Sequence, residues 1–258
     1  MASINITAKQ LRSLHVPGKP IIMANVYDTL SAEAVGSLPS CHALHTASYA
    51  VARASGTNDD DMTLETNLAA AEAIIKVAMK FNKPLSVDWQ DAYGKRLDEG
   101  ISSLLKMGVV GINLEDCDKE TQHMHSPEEA VARIKQVLEV TKREGVPDFV
   151  LNARCDVLVQ GGEMDEVIKR GKLYLDAGAT TVFVWGGSKR GVSRAEVERM
   201  VKEFQGRVNV SMKLAPGNLT AENLVDLGVA RISVGPQLQA IALEHFGKQA
   251  EALLQQRK

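Results

Sequence analysis

The sequence predicts a single (β/α)8 barrel over residues 1–258, and three observations lead to that fold class. The chain has 258 residues, and about 250 is typical of one such barrel. Short apolar or β-branched runs recur along it, each followed by a helical stretch. Glycines and capping residues stand where several of these helices would end or begin. An open, doubly wound parallel sheet is the alternative, and eight strand–helix pairs favour the barrel.

Eight runs are predicted as the barrel strands because they are short, apolar and bounded by turn residues. They cover residues 20–25, 43–48, 85–88, 111–115, 149–154, 181–185, 208–213 and 231–234. The helices are predicted at residues 28–36, 64–81, 97–107, 127–144, 164–177, 194–204, 221–227 and 236–246. A loop rich in glycine, asparagine and aspartate is expected before the helix at 64–81. No linker rich in proline, glycine or serine divides the chain, so we expect one domain.

The predicted helix ends carry suitable residues. Gly108, Gly178 and Gly228 each follow a helical stretch, where a left-handed residue closes the last turn and glycine has no Cβ penalty. Ser126, which precedes a proline, and Thr220 stand at predicted helix starts, where a side-chain oxygen can accept a free backbone N–H.

Composition excludes several classes of protein. Hydrophobic residues make up 45% and charged residues 24%, and the net charge is −2, so neither a nucleic-acid nor a membrane partner is expected. The chain has no apolar run of signal-peptide or membrane-spanning type. Cys41, Cys117 and Cys155 are an odd number without CxxC spacing, which favours a reducing compartment. We therefore expect a cytoplasmic protein that acts on a small molecule.

Polar residues collect at the carboxyl ends of the predicted strands, where barrels of this kind carry their chemistry. Asp59 lies in the loop after the second strand, and Asp88 and Glu115 end the third and fourth strands. Converging carboxylates repel each other unless a cation lies between them, and a hard divalent ion such as Mg²⁺ prefers oxygen ligands. Arg154 ends the fifth strand and offers a planar fork to a carboxylate or phosphonate. These residues together predict a site for a small metal-chelating anion, such as an α-oxo acid.

Five segments resemble motifs of the phosphoenolpyruvate mutase/isocitrate lyase superfamily, in the family's order. Residues 88–94 (DWQDAYG) are similar to its D-x-D-x-G-Y-G segment, and residues 111–116 (GINLED) to its strand-four G-x-x-x-E-D. Residues 152–156 (NARCD) are similar to its A-R-x-[DE] segment. Residues 56–59 (GTND) and 227–236 (LGVARISVGP) resemble its loop G-x-x-D and its strand-eight region.

The resemblance implies a (β/α)8 enzyme that binds Mg²⁺, with Mn²⁺ as the alternative, together with an α-oxocarboxylate. Family members cleave C–C or P–C bonds through an enolpyruvate-like intermediate, and their catalysis rests on stabilising a developing oxyanion. The implied metal site in this chain contains Asp88, Gln90 and Glu115.

The same resemblance implies roles for the remaining site residues. Asp59 would either touch the reacting group or lie behind the residues that do, and Arg154 would bind the carboxylate or the leaving group. Backbone N–H groups of Ser48 and Tyr49 would face the substrate carboxylate or enolate oxygen, and Asn152 would belong to the same substrate pocket.

Two departures from the family pattern bear on the reaction. Gln90 stands where the family has the second carboxylate of its D-x-D segment, so metal affinity should fall. The C–C lyases carry a K-[KR]-C-G-H segment after strand four, which this loop lacks. Cys117 is the candidate acid or base in its place, with His123 or His125 as partner, since a thiol needs an adjacent base. Lys119 is an approximate counterpart of a lysine in the phosphonomutases.

Three hypotheses of function remain open at this point. The first is a Mg²⁺-dependent C–C lyase or hydrolase acting on a small α-oxo or α-hydroxy (di)carboxylic acid. The second is a mutase or hydrolase of the phosphonopyruvate type, and the third is a barrel that binds an organic acid without catalysis. By resemblance we also expect a homo-oligomer, either a dimer or a tetramer, in which the C-terminal helix near residues 236–255 is exchanged between subunits.

Overall fold

The computed structural model describes residues 2–257, which form one barrel of parallel strands surrounded by helices. The strands in this part of the chain are β1 (Ile21–Met23), β2 (Asn25–Val26), β3 (Leu44–Thr46), β4 (Leu85–Asp88), β5 (Gly111–Glu115), β6 (Val150–Cys155), β7 (Thr181–Val184), β8 (Val208–Ser211) and β9 (Arg231–Ser233). All neighbouring strands are parallel, as expected when each strand is followed by a helical crossover.

The barrel closes through its first strand, which is split into two halves at Ala24. β1 pairs with β9, with Ile21 opposite Arg231. β2 pairs with β3, with Asn25 opposite His45. The order β1-β9-β8-β7-β6-β5-β4-β3-β2 therefore describes a barrel of eight positions, seven of them single strands. The predicted (β/α)8 barrel is confirmed. The doubly wound alternative is wrong, because β1 and β2 are halves of one strand and the sheet therefore closes on itself.

The helices surround the barrel in the predicted rhythm. In chain order they are α1 (Ala2–Ser13), α2 (Thr29–Gly36), α3 (Ser48–Ala54), α4 (Leu64–Lys80), α5 (Leu97–Met107), α6 (Pro127–Arg143), α7 (Met164–Asp176), α8 (Gly187–Arg190), α9 (Arg194–Glu203), α10 (Ala221–Leu227) and α11 (Gln237–Leu254). No helix in residues 2–257 is long and apolar enough to cross a lipid bilayer.

Three helices and one helix end differ from the sequence-based expectation. α1 and the four-residue α8 were not predicted, and α3 replaces the start of the loop expected after the second strand. The residue before α3, Ala47, makes no side-chain cap, so the usual sequence signal of a helix start is missing. α11 continues to Leu254 through Gly247, because one glycine costs a helix only about 1 kcal/mol.

The predicted helix caps are confirmed. Ser126 Oγ accepts the backbone N–H of Glu129, and Thr220 Oγ1 accepts that of Asn223. Gly108 closes α5 with a φ of 99°, in the left-handed region. These contacts fix where each helix starts and ends, and hence where the strands next to it begin and end.

α1 packs under the amino end of the barrel. Arg12 donates to the backbone carbonyls of Asp148 and Phe149, just before β6. Leu11 lies so close to Gly111, the first residue of β5, that an added Cβ would come within 3.0 Å of it. The barrel is thus closed at this end, and its open mouth lies at the carboxyl ends of the strands.

Apolar and polar side chains alternate along the strands, because successive residues point to opposite faces. The residues facing the helices form the main apolar core, for example Val87, Ile112 and Ile232. The barrel interior is unusually polar for this fold, which is typically filled by branched apolar residues. Its fully buried polar side chains include Ser86, Asn113, Asn152, Thr181, Asn209 and Arg231.

Candidate active site

A cavity of about 890 Å³ opens at the carboxyl ends of the strands. Most of the residues predicted for the site line it, namely Ser48, Tyr49, Asp59, Asp88, Gln90, Glu115, Cys117 and Arg154. Trp185, the residue after β7, also lines it. The volume lies within the range of about 300–1,000 Å³ that is typical of small-molecule sites.

Asp88 ends β4, and its carboxylate is held by two protein donors. Oδ2 accepts the backbone N–H of Ser48 at 2.9 Å, and Oδ1 accepts the side-chain amide of Asn113 at 3.2 Å. The backbone N–H of Asp88 in turn donates to Thr46 Oγ1. The Ser48 amide that was expected to face a substrate therefore contacts Asp88 in this structure.

Glu115 and Arg154 form an ion pair at the ends of β5 and β6, with Nη1 of Arg154 2.5 Å from Oε1 of Glu115. Nε of Arg154 lies 2.7 Å from Asp156 Oδ1, and its guanidinium lies over the Trp185 ring at 4.1 Å. Burial raises the pKa of Glu115 well above its usual value, against the lowering effect of Arg154, and the Asp156 and Asp88 charges raise it further. Burial therefore disfavours the charged form of Glu115, and the contact with Arg154 offsets this only in part.

Asp116, next to Glu115, points away from the cavity. Its carboxylate accepts the hydroxyl of Tyr174 at 2.5 Å and the backbone N–H of Asp156 at 2.8 Å. It also lies 3.5 Å from Arg170. Asp116 therefore connects the end of β5 to α7, and Glu115 is the one of these two carboxylates that lines the cavity.

Asp59, Gln90 and Lys119 form a chain of contacts along one wall. Gln90 Nε2 donates to Asp59 Oδ1 at 3.0 Å, and Gln90 Oε1 accepts from Lys119 Nζ at 2.9 Å. Burial and the Asp88 charge raise the pKa of Asp59. The oxygen of Gln90 that was predicted to serve the metal site is therefore engaged by an ammonium group in this structure.

Cys117 is half-buried, and its surroundings disfavour the thiolate. Burial and the charges of Asp156 and Glu115 raise the pKa of its thiol to about 11. Sγ contacts the Asp118 carbonyl and the Gln160 amide. Among residues 2–257, no imidazole nitrogen lies within hydrogen-bond distance of Sγ. The predicted pairing of Cys117 with His123 or His125 is therefore wrong, since an activated thiol needs an adjacent base.

Asn152 requires a second correction. It faces the barrel interior two residues before Arg154, fully buried, and it does not line the cavity. Its side chain donates to Asn113 Oδ1 at 2.7 Å and accepts from Thr181 Oγ1 at 2.6 Å. Asn152 therefore lies one layer below the residues that line the cavity.

Asn113 is one of the cavity residues that the sequence motifs did not indicate. It stands two residues before Glu115 on β5, so both side chains point into the barrel. Asn113 lines the cavity floor and donates to both Asp88 and His45. A polar residue two positions before a strand-end carboxylate is the signal that could have identified it.

The donor set fits a hard divalent cation in chemical type. Asp59, Asp88 and Glu115 present carboxylate oxygens to one cavity, and their mutual repulsion contributes to the raised pKa values of Asp59 and Glu115. Within residues 2–257, no group of three or more acidic, histidine or cysteine side chains is already assembled around a metal position. The carboxylates instead accept protein donors, which a bound cation would have to replace in part.

A closed parallel barrel that gathers carboxylates and an arginine at its mouth defines a (β/α)8 protein with an enzyme-type site at its strand ends. The chain matches the phosphoenolpyruvate phosphomutase family over residues 11–254. It therefore belongs to the phosphoenolpyruvate mutase/isocitrate lyase superfamily, which comprises lyases and mutases.

Three similar proteins illustrate the range of the family. An uncharacterized protein of Mycobacterium tuberculosis is 30% identical over 225 residues, 86% of this chain and 80% of the relative. The 2,3-dimethylmalate lyase of Eubacterium barkeri is 29% identical over 190 residues, 69% of this chain and 63% of the relative. The crystal structure of a candidate phosphonomutase from Burkholderia cenocepacia superposes with a TM-score of 0.85 at 31% identity, covering 95% of this chain and 99% of that one.

Proposed function

We propose that this protein is a Mg²⁺-dependent enzyme that cleaves a C–C bond in a small α-oxo or α-hydroxy (di)carboxylic acid. One observation carries the proposal: Asp88, Glu115 and Arg154 reach one cavity from three adjacent strands. Two carboxylates and one guanidinium suit an anion that also chelates a hard cation. The family membership is consistent with this chemistry.

Each side chain has a role that follows from its surroundings. Arg154 is held in place by Asp156 and Trp185, so its remaining N–H groups are oriented to bind a substrate carboxylate. Burial and the Asp88 charge raise the pKa of Asp59, and the proposal gives this carboxyl group the role of holding or moving a proton next to the reacting atoms. Cys117 stays a neutral thiol, so the proposal gives it a place in the cavity wall.

Asp88 and Glu115 are the residues that would hold Mg²⁺, with Mn²⁺ as the alternative, because Gln90 is engaged by Lys119. The bound ion would supply Lewis-acid stabilisation of the oxygen that gains negative charge as the bond breaks. Because neutral Gln90 stands where the family has a carboxylate, the site as a whole has one negative charge fewer. We therefore expect metal binding to be weak without the organic anion.

The choice of C–C cleavage is supported by 2,3-dimethylmalate lyase, whose name describes a lyase of a hydroxy dicarboxylic acid. A phosphonopyruvate-type mutase or hydrolase is the second candidate, supported by the similarity to a candidate phosphonomutase over 99% of that chain. The two differ in product: the first releases a smaller oxo acid, and the second releases phosphate or interconverts phosphonate and phosphate ester.

Thermal shift with oxalate, a mimic of an enolpyruvate, tests the metal–oxoacid site. A ligand that binds only the folded state raises the melting temperature by mass action. We expect a rise that requires both oxalate and Mg²⁺, and that Asp88→Asn abolishes. The matched control is Asp226→Asn, which changes an exposed aspartate on α10 and should leave the shift unchanged.

The result of this titration decides between the hypotheses. No shift at high concentrations of both ligands would overturn the Mg²⁺ assignment. A shift with oxalate alone, together with no turnover of any oxo acid, hydroxy acid or phosphonate, would point to a barrel that binds organic acids without catalysis.

We also propose that the protein is a homo-oligomer that uses α11. Its large apolar side chains are widely exposed, at 52% for Ile241, 50% for Leu243 and 73% for Phe246, and an exposed apolar patch marks an interaction surface. Light scattering with size exclusion should show a dimer or tetramer, and Phe246→Glu should reduce its mass. Gln249→Glu, on the same exposed helix, is the control; a monomeric native protein would contradict this proposal.

A further inference from the structure

Arg231, the first residue of β9, carries a buried charge inside the barrel. The residue is 0% exposed. Its Nη1 lies 3.3 Å from Nε2 of His15, its Nη2 lies 3.4 Å from Oδ1 of Asn113, and its Nε has no hydrogen-bond partner. No carboxylate within residues 2–257 forms an ion pair with it. A buried guanidinium with so few partners is costly, so its presence requires an explanation.

The imidazoles of His15, which follows α1, and of His45 on β3 cannot compensate this charge, because both are neutral. His15 Nδ1 lies 2.9 Å from the Leu11 carbonyl, and His45 Nδ1 lies 3.1 Å from the Ser86 carbonyl. A carbonyl only accepts, so each Nδ1 carries the proton and each Nε2 is an acceptor. Burial, reinforced by the Arg231 charge, lowers the pKa of His15 to about 3 and that of His45 well below its usual value.

The Asn113 amide connects Arg231 to Asp88. Its Oδ1 faces Arg231 at 3.4 Å and accepts from Asn152 at 2.7 Å. Its Nδ2 donates to Asp88 Oδ1 at 3.2 Å and to Nε2 of His45 at 3.0 Å. All four hydrogen-bonding positions of the amide are used, and a flipped amide would turn its oxygen toward the carboxylate. The amide dipole is therefore fixed between a cation and an anion.

Arg231 and Asn113 lie on opposite sides of the barrel. β9 and β5 are separated by β6, β7 and β8 on one side of the ring and by the first strand, β3 and β4 on the other. The contact between them therefore crosses the barrel interior. Burial lowers the pKa of Arg231 to about 9, against the raising effect of Asp88, so the guanidinium remains charged at neutral pH.

We infer that Arg231 is the buried counter-ion of Asp88 and a positioning residue of the active site, acting through the Asn113 amide. The positive charge beneath the cavity floor compensates the strand-end carboxylate and fixes the direction of its Oδ1. Its consequence for ligand binding rests on the proposed function, whereas the coupling between the two charges does not.

A double-mutant cycle in stability tests the coupling without ligand or metal. Arg231→Met, Asp88→Asn and the double variant are compared with the native protein by denaturant unfolding. We expect the double variant to lose less stability than the sum of the two single losses, because each single change leaves one charge without its counter-ion. The control cycle pairs Asp88→Asn with Arg12→Met, an arginine at the amino end of the barrel, and should be additive.

Additive losses in the Arg231–Asp88 cycle would overturn the inference. If Arg231→Met does not fold, Arg231→Gln carries the test, because it removes the charge and keeps a side-chain NH2 donor. Coupling that survives with Arg231→Gln supports the counter-ion role, and its loss would assign Arg231 a hydrogen-bonding role alone. Arg231→Lys, which keeps the charge, should restore most of the stability.

A second measurement links the coupling to the site. Calorimetric titration with oxalate in the presence of Mg²⁺ should show at least about five-fold weaker binding in Arg231→Met, whereas Arg231→Lys should stay within about three-fold of the native protein. Equal weakening in both variants would reduce Arg231 to a structural role. If the native protein itself binds no oxalate, the proposed function fails while the stability cycle still reports on the counter-ion.

Discussion

Arg154 and Glu115 lie on adjacent strands with Nη1 2.5 Å from Oε1, and their side chains are only 13% and 15% exposed. The pair is therefore largely removed from water, where charge-assisted hydrogen bonds are strongest. Because Asp156 holds the opposite side of the guanidinium, Arg154 can exchange its contact with Glu115 for a substrate carboxylate without losing its orientation.

This arrangement predicts the effect of Arg154→Lys. The ammonium keeps the charge and loses the planar fork, so oxalate affinity in the presence of Mg²⁺ should fall on the order of 10-fold or more. The same substitution at Arg12, which binds backbone carbonyls at the other end of the barrel, should leave affinity unchanged. Titration calorimetry measures both, and undiminished affinity in Arg154→Lys would remove this residue from the substrate site.

The sequence was sufficient to predict the barrel and most of the strand-end residues. Eight apolar runs of the correct length identify the strands, and the parallel fold then brings Asp88, Glu115 and Arg154 together at one end. No detailed packing is needed for this inference, because the end of each strand alone decides which residues reach the mouth.

The depth of a side chain within the barrel could not be predicted in the same way. Asn152 and Arg154 point to the same face because they are two residues apart, yet two residues along a strand amount to about 6.6 Å. Arg154 therefore reaches the cavity, while Asn152 joins the interior network with Asn113. Only the register between neighbouring strands fixes this depth.

The Arg231 contacts were also invisible in the sequence. Arg231 and Asn113 are 118 residues apart, and no local pattern relates them. Likewise, Ala47 gives no side-chain capping signal for α3, although the first amide of that helix holds Asp88.

The raised pKa of Cys117, about 11, predicts slow alkylation at neutral pH. Only a fraction on the order of 10⁻⁴ of the thiol is ionised at pH 7, whereas a free cysteine of pKa about 8.5 is ionised to a few per cent. The rate with iodoacetamide should rise about ten-fold per pH unit through the alkaline range. Cys41 and Cys155 are buried, so mass spectrometry can follow Cys117 separately, and Cys117→Ser supplies the blank. Rapid labelling at neutral pH would show that its surroundings stabilise the thiolate.

A side chain at position 171 in α7 would not fit, because Gly171 packs directly against another residue. A Cβ added there would lie 2.3 Å from Cζ of Phe204, which follows α9. Gly171→Ala should therefore destabilise the fold by about 1–3 kcal/mol through overpacking, measured by denaturant unfolding. Phe204→Leu removes the obstructing ring atom, so the double variant should lose less than the sum of the two single losses. Additive losses would mean that α7 and α9 move apart to accommodate the added methyl group, and that the Phe204 ring does not obstruct it.

Most substitutions in a metal site weaken metal binding, but we expect removal of the Lys119 charge to strengthen it. Its ammonium contacts Gln90 Oε1 at 2.9 Å on the cavity wall, where it would repel the divalent ion that we propose for Asp88 and Glu115. At a separation of about 8 Å, a unit charge costs a divalent ion about 1 kcal/mol even at the dielectric of water, or a factor of about five in affinity. Lys119→Met should therefore strengthen Mg²⁺ binding in the absence of an organic anion, as measured by calorimetric titration.

The matched control for Lys119→Met is Lys213→Met, which removes the same charge from the opposite wall of the cavity. Lys213 follows β8, which lies across the barrel from β4, and its Nζ donates to the Lys189 carbonyl. A greater distance and more intervening water weaken its repulsion, so Mg²⁺ affinity should change less than in Lys119→Met. Equal gains in the two variants would mean that only the net charge of the cavity matters. If Mg²⁺ affinity does not rise in Lys119→Met, the ion binds away from Gln90. That result would also contradict its placement between Asp88 and Glu115.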